Sequence, residues 1–159
     1  MTSILDKFPK ERKPLPKKYQ DLYAEHYIMN RDGDSSATSM AQKMEAWMHR
    51  KIAADLKNDT TSTLEIGAGT LNQLGYENTQ PYDIIEPFTE LYTSSKHLGK
   101  IRNIYADIDE IDENNKYDRI TTIATFEHIM DLPKVVAKSA LLLNSEGTLR
   151  VSIPNEGTI

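Results

Sequence analysis

The sequence predicts an α/β protein built on an open, parallel sheet, and three observations point there. Five short apolar runs recur after residue 62: TLEI (63–66), YDIIE (82–86), IRNIYA (101–106), YDRITTIA (117–124) and TLRVSI (148–153). Their length and β-branched content suit buried strands. Helical patterns fit between several of them, at 88–98 and at 132–143. Strands alternating with helices are joined most simply as parallel βαβ units. The first run also ends in the turn Glu65-Ile66-Gly67-Ala68-Gly69, which suits a strand that stops at a ligand. The crossover from 70 to 81 has room for one or two helical turns, ending near Gly75.

The upstream third reads differently. Residues 1–18 carry Pro9, Pro14 and Pro16 among lysines and are expected to form a flexible arm. A helix over 17–29 places Tyr19, Tyr23 and Tyr27 on one face, as a stripe that packs on the domain. NRDGDSSATS is a loop by composition. Ser39 then caps a helix over 40–57, whose Met40, Met44, Trp47, Met48, Ile52 and Leu56 form a core stripe. The expected organisation is an arm (1–18), a helical cap (19–62) and a core (63–159).

Composition narrows the function classes. The chain has 159 residues, 38% apolar and 27% charged, as ordinary globular proteins do. A net charge of -5 disfavours a nucleic-acid partner. The absence of cysteine removes disulfides and thiolate chemistry. No apolar run reaches membrane-spanning length, so the expectation is a cytoplasmic protein with no membrane partner.

Ligands of open parallel sheets bind beyond the carboxyl ends of the strands. Those ends carry Glu65, Glu86-Pro87, Asp107-Ile108 and Thr125-Phe126-Glu127-His128, one acid for each of four successive strands. Such a rim suits a cationic nucleoside. Glu86, 17 residues after Gly69, can accept both ribose hydroxyls, and hydrogen bonds to a charged group contribute about 1.5–3 kcal/mol each. Asp107 can accept from the exocyclic amine of adenine, with the Ile108 amide beside the ring. Glu65 repels a pyrophosphate and favours an ammonium group. A dinucleotide turn also wants a third glycine where Asn72 stands.

These motifs, LEIGAGT, YDIIEP, YADIDEI, YDRITTIATFEHIMDL and LLLNSEGTLRVSIPNEG, resemble those of class I S-adenosylmethionine-dependent methyltransferases over about residues 63–157. The resemblance implies a three-layer, Rossmann-like sheet of order 3-2-1-4-5, helices on both faces, and S-adenosylmethionine as cofactor, leaving as S-adenosylhomocysteine. It places Glu65, Gly67, Ala68 and Gly69 at the methionine end, Glu86 and Pro87 at the ribose, and Asp107 and Ile108 at the adenine. Thr125 and Phe126 complete the cofactor wall, and Glu127, His128 and Tyr27 face the substrate. Leu71 stands at the family's third glycine, so the turn is expected to bend differently or less tightly. The family's last two strands have no counterpart, so the expectation is a truncated form or a domain completed by another chain along the fifth strand.

The function implied is methyl transfer to a small molecule, with a sugar or polysaccharide precursor bearing a hydroxyl or carboxyl preferred. His128 is the candidate general base. His26, His49 and His97 are read as surface or packing residues, the acids of 107–114 as a solvated turn, and no metal is expected. Two alternatives stand beside this: a cofactor-binding fragment or module unable to catalyse, and an NAD(P)-dependent reductase.

Overall fold

The computed structural model describes residues 16–22, 36–56 and 58–153. Residues 17–22 are helical. Helix α1 follows (Ser36–Ala53), then β1 (Thr63–Ile66), β2 (Tyr82–Ile85), α2 (Thr89–Tyr92), β3 (Asn103–Tyr105), β4 (Tyr117–Ile123), α3 (Leu132–Leu142) and β5 (Leu143–Ser152). The strands form one sheet of order β3-β2-β1-β4-β5, every neighbouring pair parallel. This is the predicted order.

Register explains why the two faces differ. Thr63 lies between Tyr82 and Arg119, and Glu65 between Ile84 and Thr121. Side chains alternate along a strand, so these residues share one face, while Leu64, Ile66, Ile85 and Ile120 share the other. The second face is mainly apolar, with Asp83 and Thr122 its buried polar positions. Leu64, Ile66, Ile85, Tyr117, Ile120 and Leu142 form one core with Ile108, Ile111 and Phe126, against which Leu132 and Val135 of α3 pack.

The first face is divided. Beside β2 a smaller apolar cluster gathers Ala68, Leu71, Leu74, Tyr82, Ile84 and Tyr92. Beneath α1 the contacts are polar. Arg119 and Glu77 form an ion pair, both buried. Gln73 Nε2 donates to Glu77 Oε2 at 2.6 Å, and His49 Nδ1 lies 2.7 Å from Gln73 Oε1. Asp83, at the foot of the sheet, accepts from Arg102 Nη2 at 2.6 Å and Tyr117 Oη at 2.7 Å.

Four expectations need correction. Helix α1 runs 36–53 rather than 40–57, and Ser36 rather than Ser39 opens it. Its Met44 and Trp47 are 55% and 58% exposed, so they are not core. Met48 and Ile52 of the expected stripe do turn inward, and Glu45 and His49 turn inward with them over the polar layer of Gln73, Glu77 and Arg119. The helix expected over 88–98 is the single turn α2 followed by a 3-10 turn at Leu98–Lys100. Strand β5 starts at Leu143, five residues before the expected 148, because it pairs with β4 directly after α3. The short first crossover is as expected: a 3-10 turn over Asn72–Gly75. The tyrosine face, apart from exposed Tyr19, lies outside the described residues.

Breaking a buried pair by removing one partner costs about 3–5 kcal/mol. Arg119→Met is expected to lower unfolding free energy by that amount in urea titration. The double change Arg119→Met with Glu77→Leu should recover most of it.

Candidate functional site

The carboxyl ends of the strands open into a hollow of about 670 Å³. Glu65, Gly67, Ala68 and Gly69 line it from β1, Glu86 and Pro87 from β2, and Asp107 and Ile108 from β3. Thr125 and His128 reach it from β4, and Glu45, Met48 and His49 from α1. Segments far apart along the chain therefore share one wall, as the strand-end reading requires.

The turn after β1 needs its glycines. Gly67 has φ +74° and Gly69 φ +51°, both in the left-handed region. A Cβ on Gly67 would also collide with the Thr125 side chain, whose Oγ1 is held by the Ile123 carbonyl at 3.0 Å. Leu71 adopts φ +65° without being glycine. Leu71 thus takes the left-handed conformation open to a glycine, although its side chain was expected to make the turn bend differently, and it is completely buried in the smaller apolar cluster. Left-handed backbone costs a non-glycine residue about 1–2 kcal/mol. Ala124, at the end of β4, has φ +49° and carries the same cost. Two strained positions beside one hollow are a functional-site signature.

Glu86 joins the two central strand ends. Its Oε2 accepts from Gly69 N–H at 2.8 Å and its Oε1 from Phe88 N–H at 3.0 Å. Burial raises its pKa, and those two amides offset part of the rise. Glu65 is more enclosed, 2% exposed, with Tyr82 Oη donating to its Oε2 at 2.8 Å. Burial raises its pKa to about 8; Tyr82 and Arg119 oppose the rise, and Glu77 and Glu86 add to it. Thr121 Oγ1, across the strand pair from Glu65, is buried without a hydrogen-bond partner.

The other acids are more open. Asp107 is exposed and caps a 3-10 turn, its Oδ1 accepting from Asp109 N–H at 3.0 Å. His128 lines the hollow from an exposed position. Glu127 is exposed and does not line the hollow, and Phe126 packs into the larger core instead of the cofactor wall. Tyr27 and His26 lie outside the described residues.

Sequence reasoning missed the contribution of α1. His49 is 6% exposed, not a surface residue, and its ring stacks on Tyr76 with centroids 5.3 Å apart. Its Nε2 lies 3.4 Å from Glu45 Oε1, which also accepts from Asn72 Nδ2 at 2.8 Å. The usable signal was the i, i+4 spacing of Glu45 and His49, which puts both on one helix face.

Glu65 makes stability depend on pH. An acid whose folded pKa lies above its unfolded value stabilises the fold most at low pH, and that contribution disappears as pH rises through the folded pKa. Unfolding free energy should therefore fall between the ordinary glutamate value of 4.5 and about 8. In Glu65→Gln, which keeps an acceptor for Tyr82, urea midpoints across this interval should show a shallower decline.

The sequence matches no protein-family model and no curated protein. Solved structures do resemble the fold. A candidate S-adenosyl-L-methionine-dependent methyltransferase of Methanococcus maripaludis aligns with TM-score 0.62 at 12% identity, covering 90% of this chain and 66% of that one. CalS10, an amino pentose methyltransferase from Micromonospora echinaspora solved with S-adenosylmethionine bound, aligns with TM-score 0.57 at 16% identity, covering 91% and 59%. KedS8, a sugar N-methyltransferase from a Streptoalloteichus species, aligns with TM-score 0.55 at 20% identity, covering 95% and 60%. The chain thus spans about 59% to 66% of the length of these three structures. With the strand order and the glycine turn, these alignments show that the chain has the class I, Rossmann-like fold of S-adenosylmethionine-dependent methyltransferases.

Proposed function

We propose that the hollow binds S-adenosylmethionine and that the chain serves methyl transfer to a small molecule, with a sugar-type acceptor preferred. The observation that carries this reading is the convergence of Glu65 and Glu86 on one glycine turn, with Asp107 on the same wall. A carboxyl directly ahead of the turn opposes phosphate and welcomes an ammonium group. The turn has the shape for it: Gly67 leaves open a space that a Cβ would fill against Thr125. The names of CalS10 and KedS8 support a sugar-type acceptor. No helix among the described residues is long and apolar enough to cross a membrane.

Each residue then has a task. Glu86, already oriented by two backbone amides, keeps lone pairs for the ribose hydroxyls. Asp107 and Ile108 take the adenine edge. Glu65 faces the methionine ammonium, where a positive charge favours its ionised form and so draws its proton off. The bound sulfonium supplies an activated methyl, so the protein chiefly supplies alignment, which can contribute on the order of 7–11 kcal/mol. His128, on the wall of the same hollow, lies toward the acceptor.

Thermal shift with S-adenosylmethionine, S-adenosylhomocysteine and NAD tests the reading. Ligand at 100 times Kd should stabilise the fold by about 2.7 kcal/mol. The reading fails if NAD stabilises the protein and the sulfur nucleosides do not. Glu86→Gln should weaken S-adenosylhomocysteine binding by about tenfold or more in calorimetry. Binding of S-adenosylmethionine near pH 7 should release a proton, seen as a heat that varies with buffer ionisation enthalpy, and Glu65→Gln should abolish the release.

A further inference from the structure

A second hollow, of about 530 Å³, lies between α1, the turn at 72–76 and the segment 90–97. Glu45, His49, Asn72 and Leu91 line both hollows. Among the described residues, the β1–β2 crossover is a single 3-10 turn and α2 a single helical turn, so both elements beside α1 there are short.

The shared wall holds a proton chain with a fixed direction. Glu77 is paired with Arg119, so its Oε2 accepts, and Gln73 must present Nε2 to it. Gln73 Oε1 then faces His49, which makes His49 Nδ1 the donor at 2.7 Å. A neutral ring with its hydrogen on Nδ1 has a lone pair on Nε2. Asn72 is fixed in the same way: its Oδ1 accepts from Thr70 Oγ1 at 3.1 Å and its Nδ2 donates to Glu45 Oε1 at 2.8 Å. His49 Nε2 and Glu45 Oε1 are thus two acceptors facing each other at 3.4 Å. Such a pair presents two lone pairs to a donor placed beside them. Among the described residues, the charged groups around it include Glu45 on its own helix, Glu77 through Gln73, and Arg119 on β4, whose Nη1 reaches the Ile52 carbonyl at 3.5 Å.

We propose that His49, backed by Glu45, is the residue that accepts the proton of the methyl acceptor, and that the acceptor enters through the second hollow as an amine or hydroxyl compound. This rests on the reading of the first hollow as the S-adenosylmethionine site. In the step, the acceptor's N–H or O–H bond breaks and its proton passes to His49 Nε2. The acceptor's nitrogen or oxygen bonds to the methyl carbon as the carbon–sulfur bond breaks, and that electron pair stays on sulfur. Gln73 acts as a positioning residue that holds the ring in the accepting tautomer.

The test uses sinefungin, which carries an amine where the sulfonium and its methyl would sit, and needs no knowledge of the acceptor. An amine at that point donates to His49 Nε2 and Glu45 Oε1, so wild type should bind sinefungin about tenfold or more tighter than S-adenosylhomocysteine in calorimetry. In His49→Phe that preference should collapse to about threefold or less. An unchanged preference overturns the proposal; failure of wild type to bind S-adenosylhomocysteine at all would instead overturn the cofactor reading. Nitrogen-15 NMR of the wild-type histidine rings gives a check that needs no variant. His49 should be protonated at Nδ1, with an Nε2 resonance that shifts when sinefungin is added, and a hydrogen fixed on Nε2 in the neutral ring would overturn the proposal.

Discussion

The grip of one carboxylate on two backbone amides holds the candidate site together. Glu86 stands at the end of β2, yet one of its oxygens is bonded to the Gly69 N–H in the turn after β1. The other is bonded to the Phe88 N–H, which opens the chain toward α2. Neither amide has a place in the sheet ladder, and a buried amide without a partner is costly. The side chain therefore closes the strand ends and shapes the ligand wall at once. Its two roles use different lone pairs, so the structural bonds leave the carboxylate able to accept more.

Around that grip the two sheet faces use different chemistry. One face carries the larger apolar core, against which α3 packs. The other combines a small apolar cluster with a buried polar layer that runs from Arg119 through Glu77 and Gln73 to His49. The layer connects the sheet to α1 by directional bonds, which fix the orientation of each side chain more tightly than apolar contact does. Three carboxylates sit close together there, Glu65, Glu77 and Glu86, and Arg119 is directly paired with one of them. Burial is the main reason why Glu65 lies so far above its ordinary range, and the nearby Glu77 and Glu86 add to the rise.

Much of this fold was legible in the sequence because the informative signals are local. β-branched runs bounded by turn residues located every strand, and Glu65, Gly67, Gly69, Glu86 and Asp107 do meet at one hollow. The failures were tertiary. Met44 and Trp47 have helical periodicity but face outward, because what α1 packs against is charged. Periodicity reports an apolar face without knowing its partner. Phe126 follows the strand-four motif, but its ring fills a gap in the larger core. His49, read as a surface or packing residue, is buried and stacks on Tyr76, while its contact with Gln73, 24 positions away in the chain, left no local signal.

The polar layer also bears on the thermodynamics of unfolding. Exposing apolar surface raises heat capacity, whereas exposing polar surface lowers it. A sheet with charges and amides packed beneath one of its helices therefore gives a smaller heat-capacity increment than one with methyl groups on both sides. Its stability changes less steeply with temperature, so tolerance to cooling is a by-product of how α1 is seated.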